Sequence, residues 1–146
     1  PAWRGVNVMR ARRRPARRTA RVEYTLPRKA VSARWARRLT TGFLNGSRTP
    51  PEAARHVDEA NLVVSELVTN ATRHGRGRCR LRLSSGDGQV TVEVSDEGSR
   101  MPRARPPGPD GEGGRGITLV RCLTRHLNVS VAPGGGKTVR AVLDAA

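Results

Sequence analysis

Apolar and polar positions alternate from residue 22 to 26, where Val22, Tyr24 and Leu26 are separated by Glu23 and Thr25. A period of two predicts a half-buried strand, and Pro27 stops it. From residue 28 to 45 the period lengthens. Val31, Trp35, Leu39 and Phe43 recur every fourth position, which predicts an amphipathic helix with that stripe facing inward. Gly46, Ser47, Pro50 and Pro51 break the chain. A second helix is expected over residues 52 to 73, with Val57, Ala60, Val64, Leu67, Val68 and Ala71 on its apolar face. His74, Gly75 and Gly77 end it, glycine being the expected cap. Cys79, Leu81 and Leu83 then alternate with arginines. Gly86, Asp87 and Gly88 make a turn, and Val90, Val92 and Val94 alternate again, as in a β-hairpin. Residues 97 to 115 carry no period and are rich in Gly, Pro and Arg; a loop of this length inside a compact domain is usually functional or disordered. A helix over residues 116 to 127, carrying Ile117, Val120 and Leu123, follows. Val129 and Val131 then lead into glycines 134 to 136, and Val139, Ala141 and Leu143 lead out of them as a last hairpin.

Hairpins joined to helices in this order argue for an α/β fold. The expected form is a two-layer sandwich, with a mixed, mainly antiparallel sheet and helices on one face. A chain of 146 residues fits one domain, and with 3% aromatic residues its core must be mostly Val, Leu and Ala. No run approaches the roughly 20 apolar residues that cross a bilayer, so no membrane span is expected. No secretory segment is visible near the start. Cys79 and Cys122 form no ligand pair at short spacing and read as small apolar fillers in a reduced cytoplasm.

The net charge of +16 is uneven: half of it lies in residues 1–21, which hold eight arginines and no acid. They read as a solvated, mostly disordered arm ahead of a domain over residues 22–146. The arm could meet nucleic acid or an acidic partner. An arginine run without aromatic interleaving is a weak nucleic-acid motif, however, so an unstructured extension is the plainer reading.

Three places could carry chemistry. Glu66 and Asn70 are spaced i, i+4 on one helix face, framed by Leu62, Val63, Val64, Leu67, Val68 and Ala71, with His74 one step further. An exposed acid beside a tolerated amide is one reading. A carboxylate general base next to an amide oxygen on Mg2+ is the other, since magnesium takes oxygen ligands and is often shared with substrate phosphates. Asp96, at a strand end, is followed by Glu97 and Gly98. It is either a polar turn or a pocket-floor carboxylate. An ionised carboxylate only accepts hydrogen bonds, so it would take adenine's 6-amino group and reject the 6-oxo group of guanine. Gly111, Gly113, Gly114 and Gly116 precede a helix, where bare backbone N–H groups can hold an anion and Arg115 can add charge. A flexible glycine loop is the alternative. These glycines fit G-x-G-x-x-G, but no strand leads directly into them. Gly136, Lys137 and Thr138 end like a P-loop, yet Val131 holds the first glycine position and a hairpin follows.

Together and in this order, these motifs resemble the GHKL (Bergerat-fold) ATPase superfamily over nearly all of the chain outside the arm. The string ELVTNATRHG, holding Glu66, Asn70, His74 and Gly75, looks like the family N-box. Asp96 and Gly98 look like its first glycine box, and Gly113, Gly114, Arg115 and Gly116 like its second. The stretch Gly135 to Thr138 looks like the third, in which the threonine helps to bind adenine. The resemblance is greatest to the anti-sigma-factor serine kinases and to actinobacterial histidine-kinase-like ATP-binding regulatory proteins. It implies ATP and Mg2+ as ligands, residues 97 to 115 as a mobile lid, Glu66 as the base, Asn70 as the magnesium ligand and Asp96 as the adenine reader. It also implies a serine/threonine kinase that binds a sigma factor and phosphorylates an anti-anti-sigma protein, with a homodimer among the expected states. A nucleotide-gated protein-binding module without kinase activity would share every pocket residue. A detached histidine-kinase catalytic domain is weaker: no dimerising helix carries a phospho-acceptor, and His56 reads as a surface residue.

Overall fold

The computed structural model describes residues 19–98 and 115–144. Five strands, β1 (Ala20–Leu26), β2 (Cys79–Gly86), β3 (Gln89–Asp96), β4 (His126–Val131) and β5 (Lys137–Asp144), form one sheet in the order β1-β2-β3-β5-β4. Every pairing among the described strands is antiparallel, in keeping with the mainly antiparallel sheet expected. The β2–β3 hairpin closes on Asp87 and Gly88 at φ 55 and 73, the doubly left-handed pair of a tight two-residue turn. Three helices, α1 (Val31–Leu44), α2 (Val57–His74) and α3 (Arg115–Leu123), pack with the sheet, and a 3-10 turn (Pro51–His56) leads into α2.

Strand alternation sorts the two faces. Leu81, Leu83, Val90, Val92, Val94, Val139, Ala141 and Leu143 point to the helices and are almost fully buried. They meet Ala60, Val63, Val64, Leu67 and Val68 of α2 and Val120 of α3, so the core lies between sheet and helices. The other face carries a cross-strand row in the register Glu23, Arg82, Glu93, Arg140. Arg82 lies 3.5 Å from Glu23 and 3.3 Å from Glu93, and Arg140 lies 3.5 Å from Glu93. This solvated face is why β2 needs arginines between its leucines.

Three expectations are corrected. The stripe Val31, Trp35, Leu39, Phe43 faces the core only in part: Leu39 and Phe43 pack half-buried against it, Trp35 is 45% exposed, and the fully buried face is Ser32, Ala36, Thr40 and Leu44. The helix is rotated by one residue because small side chains let it approach its neighbours closely. Local acceptors satisfy the buried hydroxyls: Ser32 Oγ donates to the Pro27 carbonyl, and Thr40 Oγ1 to the Ala36 carbonyl at 2.7 Å. His56 is 8% exposed rather than on the surface, with Nε2 lacking a hydrogen-bond partner among the described residues. Cys122 is exposed, so only Cys79 is a core filler. In addition, α3 stops at Leu123, short of residue 127, because the Arg125 N–H turns to the Val142 carbonyl at 2.8 Å and starts β4.

Candidate functional site

The site is organised around the last residue of the central strand. Asp96 ends β3 on the helix-facing side and is 5% exposed. Its Oδ1 accepts from the Gly98 N–H at 2.7 Å and from the Arg76 N–H at 3.3 Å. The Glu97 N–H in turn donates to the Arg76 carbonyl at 2.8 Å, tying the segment after α2 to the end of β3. One carboxylate oxygen is thus fixed by backbone donors, which orients the other. That second oxygen, Oδ2, is buried and has no hydrogen-bond partner. Lys137 Nζ lies 3.2 Å from it as an ion pair, without hydrogen-bond alignment. Beneath Asp96 is Cys79, whose thiol is pushed up to about 12 from 9.0, by burial first and by the Asp96 charge second.

Glycines make this arrangement sterically possible. Gly75 caps α2 at φ −85 and ψ −172, an extended conformation open to any residue, so it is no left-handed cap. Space is what requires glycine there: a Cβ would lie 2.4 Å from the Ala71 carbonyl oxygen and 2.5 Å from Asp96 Cγ. At Gly98 a Cβ would stand 3.0 Å from Asp96 Oδ1. The β4–β5 turn uses Gly135 and Gly136 at φ 92 and 94, and brings its backbone against the end of β3.

Because Gly75 touches Asp96, the end of α2 is anchored at the carboxylate. His74, Asn70 and Glu66 then recede along one half-buried edge of the helix. At 1.5 Å per residue the line from Gly75 to Glu66 spans about 13 Å. Asn70 and Glu66 thus lie progressively further along α2 from the end that meets Asp96. Arg115 opens α3, with Gly116 in its first turn, and α3 packs against α2. Gly113 and Gly114 lie outside the described residues.

Thr138 lines the same open cavity as Asp96, from the other face of the sheet. Its hydroxyl is on the outer face of the sheet, 2.9 Å from Ser95 Oγ. The side chain that stands with Asp96 is Lys137, its direct partner in the β3–β5 register. The signal for this was available: residue 137 shares strand parity with Val139, Ala141 and Leu143. An open cavity of about 1250 Å3 is lined, among the described residues, by Asp96, Lys137, glycines 134 to 136 and the outer-face residues Arg78, Arg80, Ser95 and Thr138. Glu66, Asn70 and His74 do not line it. Among the described residues no cluster of three or more His, Cys, Asp or Glu side chains could hold a metal alone. No helix among them is long and apolar enough to cross a membrane.

The sheet, the helices packed on one of its faces and the oriented carboxylate at the end of the central strand define the class of fold to which the chain can be compared. A family profile, the histidine kinase-like ATPase domain, matches residues 26–143. The chain belongs to that family, part of the GHKL superfamily, and is a kinase-type ATP-binding domain. Among solved structures, the RsbU and RsbW domains of Rv1364c from Mycobacterium tuberculosis align over 86% of this chain at 18% identity and a TM-score of 0.62. The alignment covers 32% of that longer chain, and it shows the fold alone. The histidine kinase domain of the blue-light-activated kinase EL346 from Erythrobacter litoralis aligns over 89% of this chain and 69% of its own, at 25% identity and a TM-score of 0.43. No curated protein matches the chain.

Proposed function

We propose that the domain binds ATP with Mg2+ and acts as a serine/threonine protein kinase, an anti-sigma factor that phosphorylates an anti-anti-sigma protein in the cytoplasm. The observation that carries the ATP reading is Asp96. Backbone donors pin one of its carboxylate oxygens, and the other is buried without a hydrogen bond. That second oxygen, ion-paired with Lys137 Nζ at 3.2 Å but not hydrogen-bonded, can still accept, and adenine's amino group is a donor that fits it. The Gly98 position leaves room for a flat base.

In this reading Asn70 offers its side-chain oxygen to the magnesium ion, which neutralises phosphate charge when bound. Gly113, Gly114, Arg115 and Gly116, matched by the sequence resemblance alone, would supply backbone N–H groups and a cation to the phosphates. His74 flanks the same edge. Glu66, two turns from the Asp96 end, takes up the proton of the attacking serine hydroxyl in the transition state. Thr138, which lines the same open cavity as Asp96, would help to hold the adenine from the outer-face side. The sigma factor and a second copy of the chain are the expected protein partners.

Calorimetric titration of ATP, ADP and GTP, with and without Mg2+, tests the pocket. Wild type should bind ATP selectively and more tightly with Mg2+, and Asn70→Ala should lose most of the Mg2+ effect. Glu66→Ala should still bind ATP while phosphoryl transfer falls by about 100-fold or more. Unchanged transfer in that variant would remove Glu66 as the base. Binding without transfer in wild type would favour the nucleotide-gated module.

A further inference from the structure

Lys137 is a buried cation where the strand pattern calls for a hydrocarbon. It begins the inward-facing set that continues with Val139, Ala141 and Leu143, and it is 5% exposed. Replacing a buried ion pair by apolar side chains is often neutral or stabilising, so fold stability gives no reason for a lysine here. Its placement is nevertheless closely determined. Lys137 and Asp96 are direct partners across two antiparallel strands, so their side chains stand side by side on one face. The turn before it holds Gly136 at φ 94, where even a Cβ would come 3.5 Å from the Asp96 carbonyl oxygen. Nζ is 3.2 Å from Asp96 Oδ2, the same oxygen that lacks a hydrogen bond.

The pair therefore presents an acceptor next to a donor. An ammonium carries three N–H donors and no acceptor, and an ionised carboxylate only accepts. Adenine's pairing edge offers the complement, a 6-amino donor beside the N1 acceptor. Guanine's edge offers the reverse, a 6-oxo acceptor beside an N1–H donor. In the register that suits adenine, guanine would set acceptor against carboxylate and donor against ammonium. A site built to hydrogen-bond a polar edge rejects mismatches strongly, because its own buried groups are then left unpaired.

We propose that Lys137 is a base-reading residue that donates to N1 of adenine while Asp96 accepts from the 6-amino group. This rests on the ATP reading of the pocket and adds a second point of discrimination to it.

The test compares the dissociation constants of ATP and 1-deaza-ATP, which keeps the 6-amino group and replaces N1 by C–H. Wild type should bind the analogue about tenfold or more weakly, the loss expected for a hydrogen bond to a charged donor. Lys137→Met should bind the two within about twofold of each other, and Lys137→Gln, which retains an N–H donor, should recover part of the difference. Equal binding of the two nucleotides by wild type would overturn the assignment whether or not the variants fold. So would the same N1 penalty in Lys137→Met as in wild type. In both cases ATP binding itself would stand. Failure of wild type to bind ATP at all would remove the nucleotide reading and this inference with it.

Discussion

Replacing Gly75 by alanine probes how the helix end and the carboxylate share space. The new Cβ would sit 2.4 Å from the Ala71 carbonyl oxygen, 2.5 Å from Asp96 Cγ and 2.7 Å from Asp96 Oδ1. Neither neighbour yields easily. The Ala71 carbonyl accepts the Gly75 N–H at 3.0 Å as the last helical bond of α2, and Asp96 is held by Gly98 at 2.7 Å. The backbone angles suit alanine, so the unfolded chain loses entropy and favours the variant by about 0.4–1 kcal/mol. Overpacking opposes this by about 1–3 kcal/mol, and moving Asp96 weakens a charge-assisted hydrogen bond worth a further ~1.5–3 kcal/mol. The net expectation is a loss of about 2 kcal/mol, roughly thirtyfold in the folding equilibrium. Urea unfolding with linear extrapolation reads it. ATP affinity should fall by about tenfold, since the displaced group is the proposed base reader. Gly134→Ala is the control: nothing lies within 4 Å of its Cβ position, and its stability should change by less than ~0.5 kcal/mol. If Gly75→Ala matched wild type in both stability and ATP affinity, the close approach of α2 to Asp96 would be refuted.

Cys79 gives a prediction about pH. Its thiol is pushed up to about 12 in the folded chain against 9.0 as the ordinary value. Above pH 9 the unfolded chain sheds this proton while the folded chain keeps it, so stability is lost as pH rises toward 12. The slope from this group is about 1.4 kcal/mol per pH unit. Relative to Cys79→Val, wild type should lose stability with that extra steepness above pH 9; parallel curves would contradict the burial argument. Leu81→Ala, at a fully buried position of β2, should lower unfolding free energy by about 2–5 kcal/mol in urea, and a loss under ~1 kcal/mol would contradict its place in the core.

The strands were readable because a sheet with one wet face writes its pattern at a period of two. Arg80 and Arg82 between Cys79, Leu81 and Leu83 announce both faces of β2 at once. Helix α1 was misread by one residue because hydropathy ranks Trp35 and Phe43 above Ser32 and Thr40. Close packing rewards the smaller side chains once their hydroxyls find local acceptors. His56 was misread for a related reason, since a polar side chain in a charged string looks wet until the 3-10 turn folds it inward. Asp96 could be placed at the end of β3 from the strand pattern, with Gly98 two residues on leaving its N–H to meet the carboxylate. Lys137 was hidden by a neighbouring string that mimics a phosphate loop and drew the eye to Thr138. Which of two adjacent residues faces a site is settled by strand parity, and parity becomes unambiguous only when the β3–β5 register is known. The approach of Gly75 to Asp96 joins residues 21 apart, and no local pattern signals it.

Strand β3 has hydrogen-bonded neighbours on both sides, β2 and β5, and its end carries Asp96. Central strands open last in native-state hydrogen exchange, often only with the whole domain. A ligand that engages the end of such a strand binds the folded chain and has no foothold on the unfolded one. Its binding free energy is then added to the global opening of the domain rather than to a local fluctuation. Nucleotide held at Asp96 would slow exchange across β2, β3 and β5 together, so that occupancy of one carboxylate is reported by amides throughout the sheet.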